Sequence, residues 1–93
     1  MNEHKKKILV IEDDHHIAKV YEIKLVKEGY DVVLAYSGED GVEKVAIEKP
    51  DLIIMDVMMP GTPVRDIVTK IKNIKIAYLS IVKISEAERE SLL

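Results

Sequence analysis

Cysteine is missing from this 93-residue, 10.6 kDa chain. Its absence excludes disulfide frameworks, cysteine-ligated zinc and thiol nucleophiles. Phenylalanine and tryptophan are missing too, which leaves four tyrosines, at positions 21, 30, 36 and 78. The core is therefore expected to be aliphatic, without platforms for stacking nucleic-acid bases. No apolar run approaches the roughly 20 residues that a membrane helix needs, and no signal-peptide pattern opens the chain. The largest basic cluster is Lys5-Lys6-Lys7, and 14 basic against 17 acidic residues give a net charge of −3. This argues against the electrostatic footprint of nucleic-acid binding. What remains is a normal globular balance, 33% charged and 47% hydrophobic, in a length that allows one domain. A soluble, cytoplasmic protein is the expectation.

The chain alternates between two hydrophobic periods. Ile8-Leu9-Val10-Ile11 is a continuous run of the kind found in a strand buried on both faces. From Asp14 the pattern becomes helical, with Ile17, Val20, Tyr21 and Leu25 recurring among charged residues, and Gly29 stands where a left-handed residue ends the helix. Residues 31–36 read as a second strand. Ser37 is an N-cap for a second helix whose apolar face is Val42, Val45 and Ala46, and Lys49-Pro50 stops it. Leu52-Ile53-Ile54-Met55 is a third strand with Asp56 at its carboxyl end. Thr62-Pro63 opens a third helix with Ile67, Val68 and Ile71 inward; residues 74–81 form a fourth strand; Ser85-Glu86-Ala87-Glu88 is a capping box for a fourth helix. Four strand–helix alternations with short connections predict a parallel sheet of right-handed βαβ units, helices on both faces.

In such sheets ligands collect at the carboxyl ends of the strands. Those ends carry Glu12-Asp13-Asp14 after the first strand, Asp56 after the third and Ser80 after the fourth. If the first and third strands are neighbours, three or four carboxylates converge and repel unless a cation compensates. An all-oxygen site favours a hard divalent ion, Mg²⁺ above all. A carboxylate beside Mg²⁺ is a nucleophile for phosphoryl transfer, with Ser80 as a hydrogen-bond donor to a phosphoryl oxygen.

At these residues the sequence resembles the receiver domain of two-component response regulators. The matching segments are ILVIEDD (8–14), EGYDVVLAYSGEDGVE (28–43), PDLIIMDVMMPG (50–61) and IAYLS (76–80). The resemblance implies a flavodoxin-like, doubly wound sheet of strand order 2-1-3-4. It implies a phospho-accepting Asp56, with Glu12 and Asp13 positioning Mg²⁺ and Met58 contributing its backbone carbonyl. Ser80 corresponds to the Thr/Ser that contacts the phosphoryl group. The implied function is signalling through protein–protein contacts, after phosphoryl transfer from a histidine kinase or phosphotransfer protein.

Receivers usually have a fifth strand ending in a lysine that pairs with the phosphoryl group, then a fifth helix. Residues 1–93 are therefore expected to be an incomplete receiver that ends within its fourth helix. Lys49-Pro50 has the family dipeptide but lies roughly 20 Å from Asp56, at the other end of the sheet; Lys83 follows the fourth strand at the correct end. Val64 stands where the family usually has glycine, which puts the loop beside Asp56 in question. The incomplete sheet predicts an exposed apolar edge on the fourth strand, which implies a homodimer, a swapped oligomer or a fragment of a longer receiver. His15 and His16 point about 100° apart and are expected to be exposed rather than to share an ion. Met55, Met58 and Met59 are read as packing. The competing function is a pseudo-receiver, an interaction or dimerisation module that has lost phosphorylation. A haloacid-dehalogenase-like phosphohydrolase is excluded because Met58 stands where a second aspartate is required, and no nucleotide-binding glycine motif is present.

Overall fold

Among the described residues, four parallel strands order themselves β2-β1-β3-β4 around an aliphatic centre. The computed structural model describes residues 5–56, 69, 71 and 74–79, and the side chains of all of these but 77–79. Its elements are β1 (Lys7–Ile11), α1 (His15–Lys27), β2 (Asp31–Ala35), α2 (Gly38–Glu48), β3 (Leu52–Asp56) and β4 (Lys75–Leu79). This is the doubly wound sheet and strand order that the resemblance implied. The expected third helix, apart from residues 69 and 71, the expected fourth helix, Thr62-Pro63-Val64, residues 80–81 of the fourth strand and Lys83 lie outside the described residues.

β1 is central because nearly every side chain in it is apolar and able to pack on either face. Ile8, Leu9, Val10 and Ile11 are all buried. Alternation sends Leu9 and Ile11 to one face, where they join Ala35, Ile53, Met55 and Ile71, with Val42 and Val45 of α2 packed against them. Ile8 and Val10 face the other way, toward α1, whose Ala18 is fully buried. The connection β1-α1-β2 steps across the sheet in one direction and β2-α2-β3 in the other. Right-handed crossovers therefore put the two helices on opposite faces.

The helix ends follow their residue chemistry. Asp14 caps α1, its Oδ1 accepting the backbone N–H of His16 at 2.9 Å and of Ile17 at 3.1 Å. Gly29 takes a φ of +98° just past that helix, as a left-handed stop requires. Ser37 caps α2 by accepting the N–H of Asp40 at 3.1 Å. Lys49 ends α2 with a φ of +48° before Pro50. Asp14→Ala removes two charge-assisted capping bonds and is expected to cost about 1–2 kcal/mol, read as a lower urea midpoint at unchanged slope.

Two expected core positions prove exposed. Ile17, Ala18, Tyr21 and Leu25 form the inward face of α1, whereas Val20 is 50% exposed. At 100° per residue Val20 stands about 120° from the centre of that face. It joins Ile23 and Val26, both more than half exposed, in an outer apolar stripe. On α2, Ala46 is exposed because Gly38, Gly41, Val42 and Val45 occupy the face toward the sheet. Gly41 permits this closeness: a Cβ there would fall on Ile11 Cδ1 and lie 2.9 Å from Ile11 Cγ1.

Candidate metal and phosphoacceptor site

β1 and β3 are neighbours, paired in parallel through Ile11 and Met55. The next residues, Glu12 and Asp56, are therefore brought side by side at the carboxyl edge. Both share the alternation of Val10 and Ile54, which directs them to the α1 face. Glu12 ends the β1 ladder by donating its N–H to Ala35 O at 2.9 Å. The chain then turns through Asp13 into α1.

Glu12, Asp13 and Asp56 each offer one carboxylate oxygen, and these atoms all lie within 4.8 Å of one another. Glu12 is 2% exposed and Asp56 1%, with Asp13 half-buried above them. Glu12 Oε2 accepts the N–H of Asp14 at 2.9 Å, which orients its carboxylate. The fourth carboxylate, Asp14, is committed to capping α1, so three converge rather than four. Met58 and Ser80, the other two expected site residues, lie outside the described residues.

Three converging carboxylates, two of them buried, repel one another and lose hydration, and a cation relieves both costs. The donor set fits a hard divalent ion. An octahedral Mg²⁺ with bonds of 2.0–2.1 Å needs ligand oxygens about 2.9 Å apart when adjacent and about 4.2 Å when opposite. Oxygens confined within 4.8 Å of one another meet that spacing with small side-chain adjustments. The site can hold a cation and present a carboxylate nucleophile to an electrophile of high negative charge density.

Tyr21 and the ring pair of His15 and Tyr36 adjoin this rim and are not evident as such from sequence. Tyr21, placed by its spacing on the inward face of α1, ionises less readily than an ordinary tyrosine. Burial is the first cause, followed by the charges of Glu12 and Asp56. Helical side chains lean toward the helix N-terminus, so a tyrosine two turns into α1 reaches back toward the loop that starts it. The signal was present: a tyrosine on the inward stripe of a helix that opens from an acidic loop. His15 stacks on Tyr36, with ring centroids 3.8 Å apart and planes 17° off parallel. The pair ties the start of α1 to the end of β2, while both histidines remain exposed as expected.

The raised folded-state pKa of Tyr21 has a definite linkage sign. Its contribution to stability is fully present below the ordinary value of 10.0 and is lost as pH rises through the folded-state value. Tyr21→Phe is expected to remove this alkaline loss. Urea midpoints at pH 9 and above pH 10 will show a smaller drop in the variant, and the late component of its tyrosinate absorbance will disappear.

No helix among the described residues is long and apolar enough to cross a membrane. Against known proteins, residues 8–93 match the family model described as the response regulator receiver domain. Among solved structures, one chain in which a yeast Spc42 trimeric coiled-coil segment is fused to another protein is similar. It is 33% identical, with 99% of this chain and 64% of that chain covered and a TM-score of 0.78. The chemotaxis protein CheY4 of Vibrio cholerae is 25% identical over 96% of this chain and 79% of its own, with a TM-score of 0.75. The N-terminal domain of a response regulator receiver protein from Methanoculleus marisnigri JR1 is 27% identical over 91% and 74%, with a TM-score of 0.76. This chain thus spans between about two thirds and four fifths of the length of these three solved chains. With the sheet order, the clustered carboxylates and a family match over nearly its whole length, the chain belongs to the response regulator receiver domain family.

Proposed function

We propose that this receiver domain accepts a phosphoryl group on Asp56 in a Mg²⁺-dependent step and signals through protein–protein contacts. The carrying observation is the convergence of Glu12, Asp13 and Asp56 within 4.8 Å, two of them buried. A carboxylate oxygen of Asp56 attacks phosphorus, an acyl phosphate forms, and the bond from phosphorus to the donor's imidazole nitrogen breaks. The donor is the phosphohistidine of a histidine kinase or phosphotransfer protein. Mg²⁺, held by Glu12, Asp13, Asp56 and the backbone carbonyl of Met58, would neutralise charge on the transferring oxygens. Ser80 donates a hydrogen bond to the phosphoryl group. The domain acts in the cytoplasm and catalyses at most its own phosphorylation and dephosphorylation. Neither nucleic acid nor a membrane takes part. Among the described residues β4 pairs on one edge only, with β3. A second copy joining there in a homodimer or swapped oligomer is part of this reading, checked by sedimentation of the 93-residue chain.

The test is labelling by acetyl phosphate or phosphoramidate, followed by intact mass. One phosphoryl group is expected with Mg²⁺ and none with chelator, and Asp56→Asn abolishes the label. Mg²⁺ binding without a label would instead favour a pseudo-receiver. Labelling that survives Asp56→Asn would overturn the assignment of the acceptor.

A further inference from the structure

The amino end of the sheet, opposite the carboxylates, holds a second concave site. Ile8, Leu52 and Lys75 stand in one row across three strands, since Ile8 pairs with Leu52 and Leu52 with Lys75. Such a row projects to one face, here that of α1. α1 packs over β1 and β2, so Ile8 is buried while Leu52 stays half-buried beside it. Tyr30, in the turn after α1, walls one side of the hollow, and Lys6, Asp51 and Lys75 complete its rim. The hollow measures about 360 Å³, within the size range of small-molecule sites.

The chemistry of this lining is two-sided. Ile8, Leu52 and the Tyr30 ring give an apolar floor and wall. Two ammonium groups stand against one carboxylate, and Asp51 Oδ2 is already engaged, accepting the backbone N–H of Lys7 at 2.8 Å. The ligand that satisfies both parts carries an apolar body and a single negative charge. We propose that this hollow binds a small amphipathic carboxylate, its aliphatic or aromatic body on Ile8, Leu52 and Tyr30 and its carboxylate between Lys6 and Lys75. The site is separate from the acidic rim and does not depend on phosphorylation.

Octanoate is the probe, titrated into the ¹⁵N-labelled 93-residue chain and followed by amide chemical shifts. Saturable shifts are expected at Lys6, Ile8, Tyr30, Leu52 and Lys75, with the carboxyl-edge residues Glu12, Asp13 and Asp56 unmoved. Lys6→Glu and Lys75→Glu, both at exposed positions, should each weaken binding roughly threefold to tenfold while leaving the rest of the spectrum in place. The neutral analogue 1-octanol should bind at least threefold more weakly than octanoate. Shifts that scatter over the surface, fail to saturate or persist unchanged in both variants would overturn the site. Equal affinity for 1-octanol would overturn the role of the two lysines.

Discussion

Mg²⁺ at a hundredfold excess over its dissociation constant is expected to raise the unfolding free energy of the chain by about 2.7 kcal/mol, and Asp56→Asn to remove most of that gain. The first half follows from mass action: an ion bound by the folded state alone stabilises it. The unfolded chain cannot hold Glu12 and Asp56 together, because they stand 44 positions apart in the sequence. The second half follows from the donor set. Asparagine at position 56 keeps the shape of the side chain but removes one of three negative charges that draw the ion in. The variant should also be no less stable than the parent without metal, since it relieves like-charge repulsion in a buried cluster. Lowering the pH opposes the ion in both proteins, because carboxylates must be ionised to ligate. Thermal midpoints with and without Mg²⁺, compared for parent and variant, check every part. A variant that keeps the full Mg²⁺ stabilisation would show that the ion sits elsewhere.

The fold was legible wherever one residue type settles a local choice. Four apolar runs give the strands, and Gly29 and Ser37 mark helix boundaries through left-handed φ and side-chain capping. The acidic site was legible for the same reason. Strand ends in a parallel sheet gather ligands, and Glu12, Asp13 and Asp56 sit at two such ends. What escaped depends on the rotation of a helix about its axis and on close approach. Apolar spacing admits Val20 to the inward face of α1, but the small side chain of Ala18 lets the helix settle with Val20 outward. Periodicity counts Ala46 as core, whereas Gly38 and Gly41 turn α2 so that Ile11 meets a bare backbone. Tyr21 and the His15–Tyr36 stack join residues whose proximity exists only after α1 has docked beside β2.

Ile53→Ala is expected to cost about 2–5 kcal/mol, against 0.5 kcal/mol or less for Ile47→Ala. The same side chain is deleted in both, so the difference isolates burial. Ile53 is fully buried and packs in the cluster of Leu9, Ile11, Met55 and Ile71, on a strand paired on both sides. Its removal leaves a cavity that neighbours fixed in two ladders cannot close. Ile47 is 74% exposed on α2, and alanine there even improves helix propensity. A domain of this length has about 5–14 kcal/mol of total stability. The Ile53 variant thus loses a large share and should show a lower urea midpoint by about 1–2 M at unchanged slope. The consequence extends to the site, because β3 presents Asp56 three residues further on, in register with β1 and β4. A strand that loses its packing holds that carboxylate less firmly against Glu12 and Asp13. Mg²⁺ affinity should therefore fall in Ile53→Ala and stay unchanged in Ile47→Ala. Equal Mg²⁺ affinity in the two variants would mean that the strand ends hold the site without help from the core beneath it.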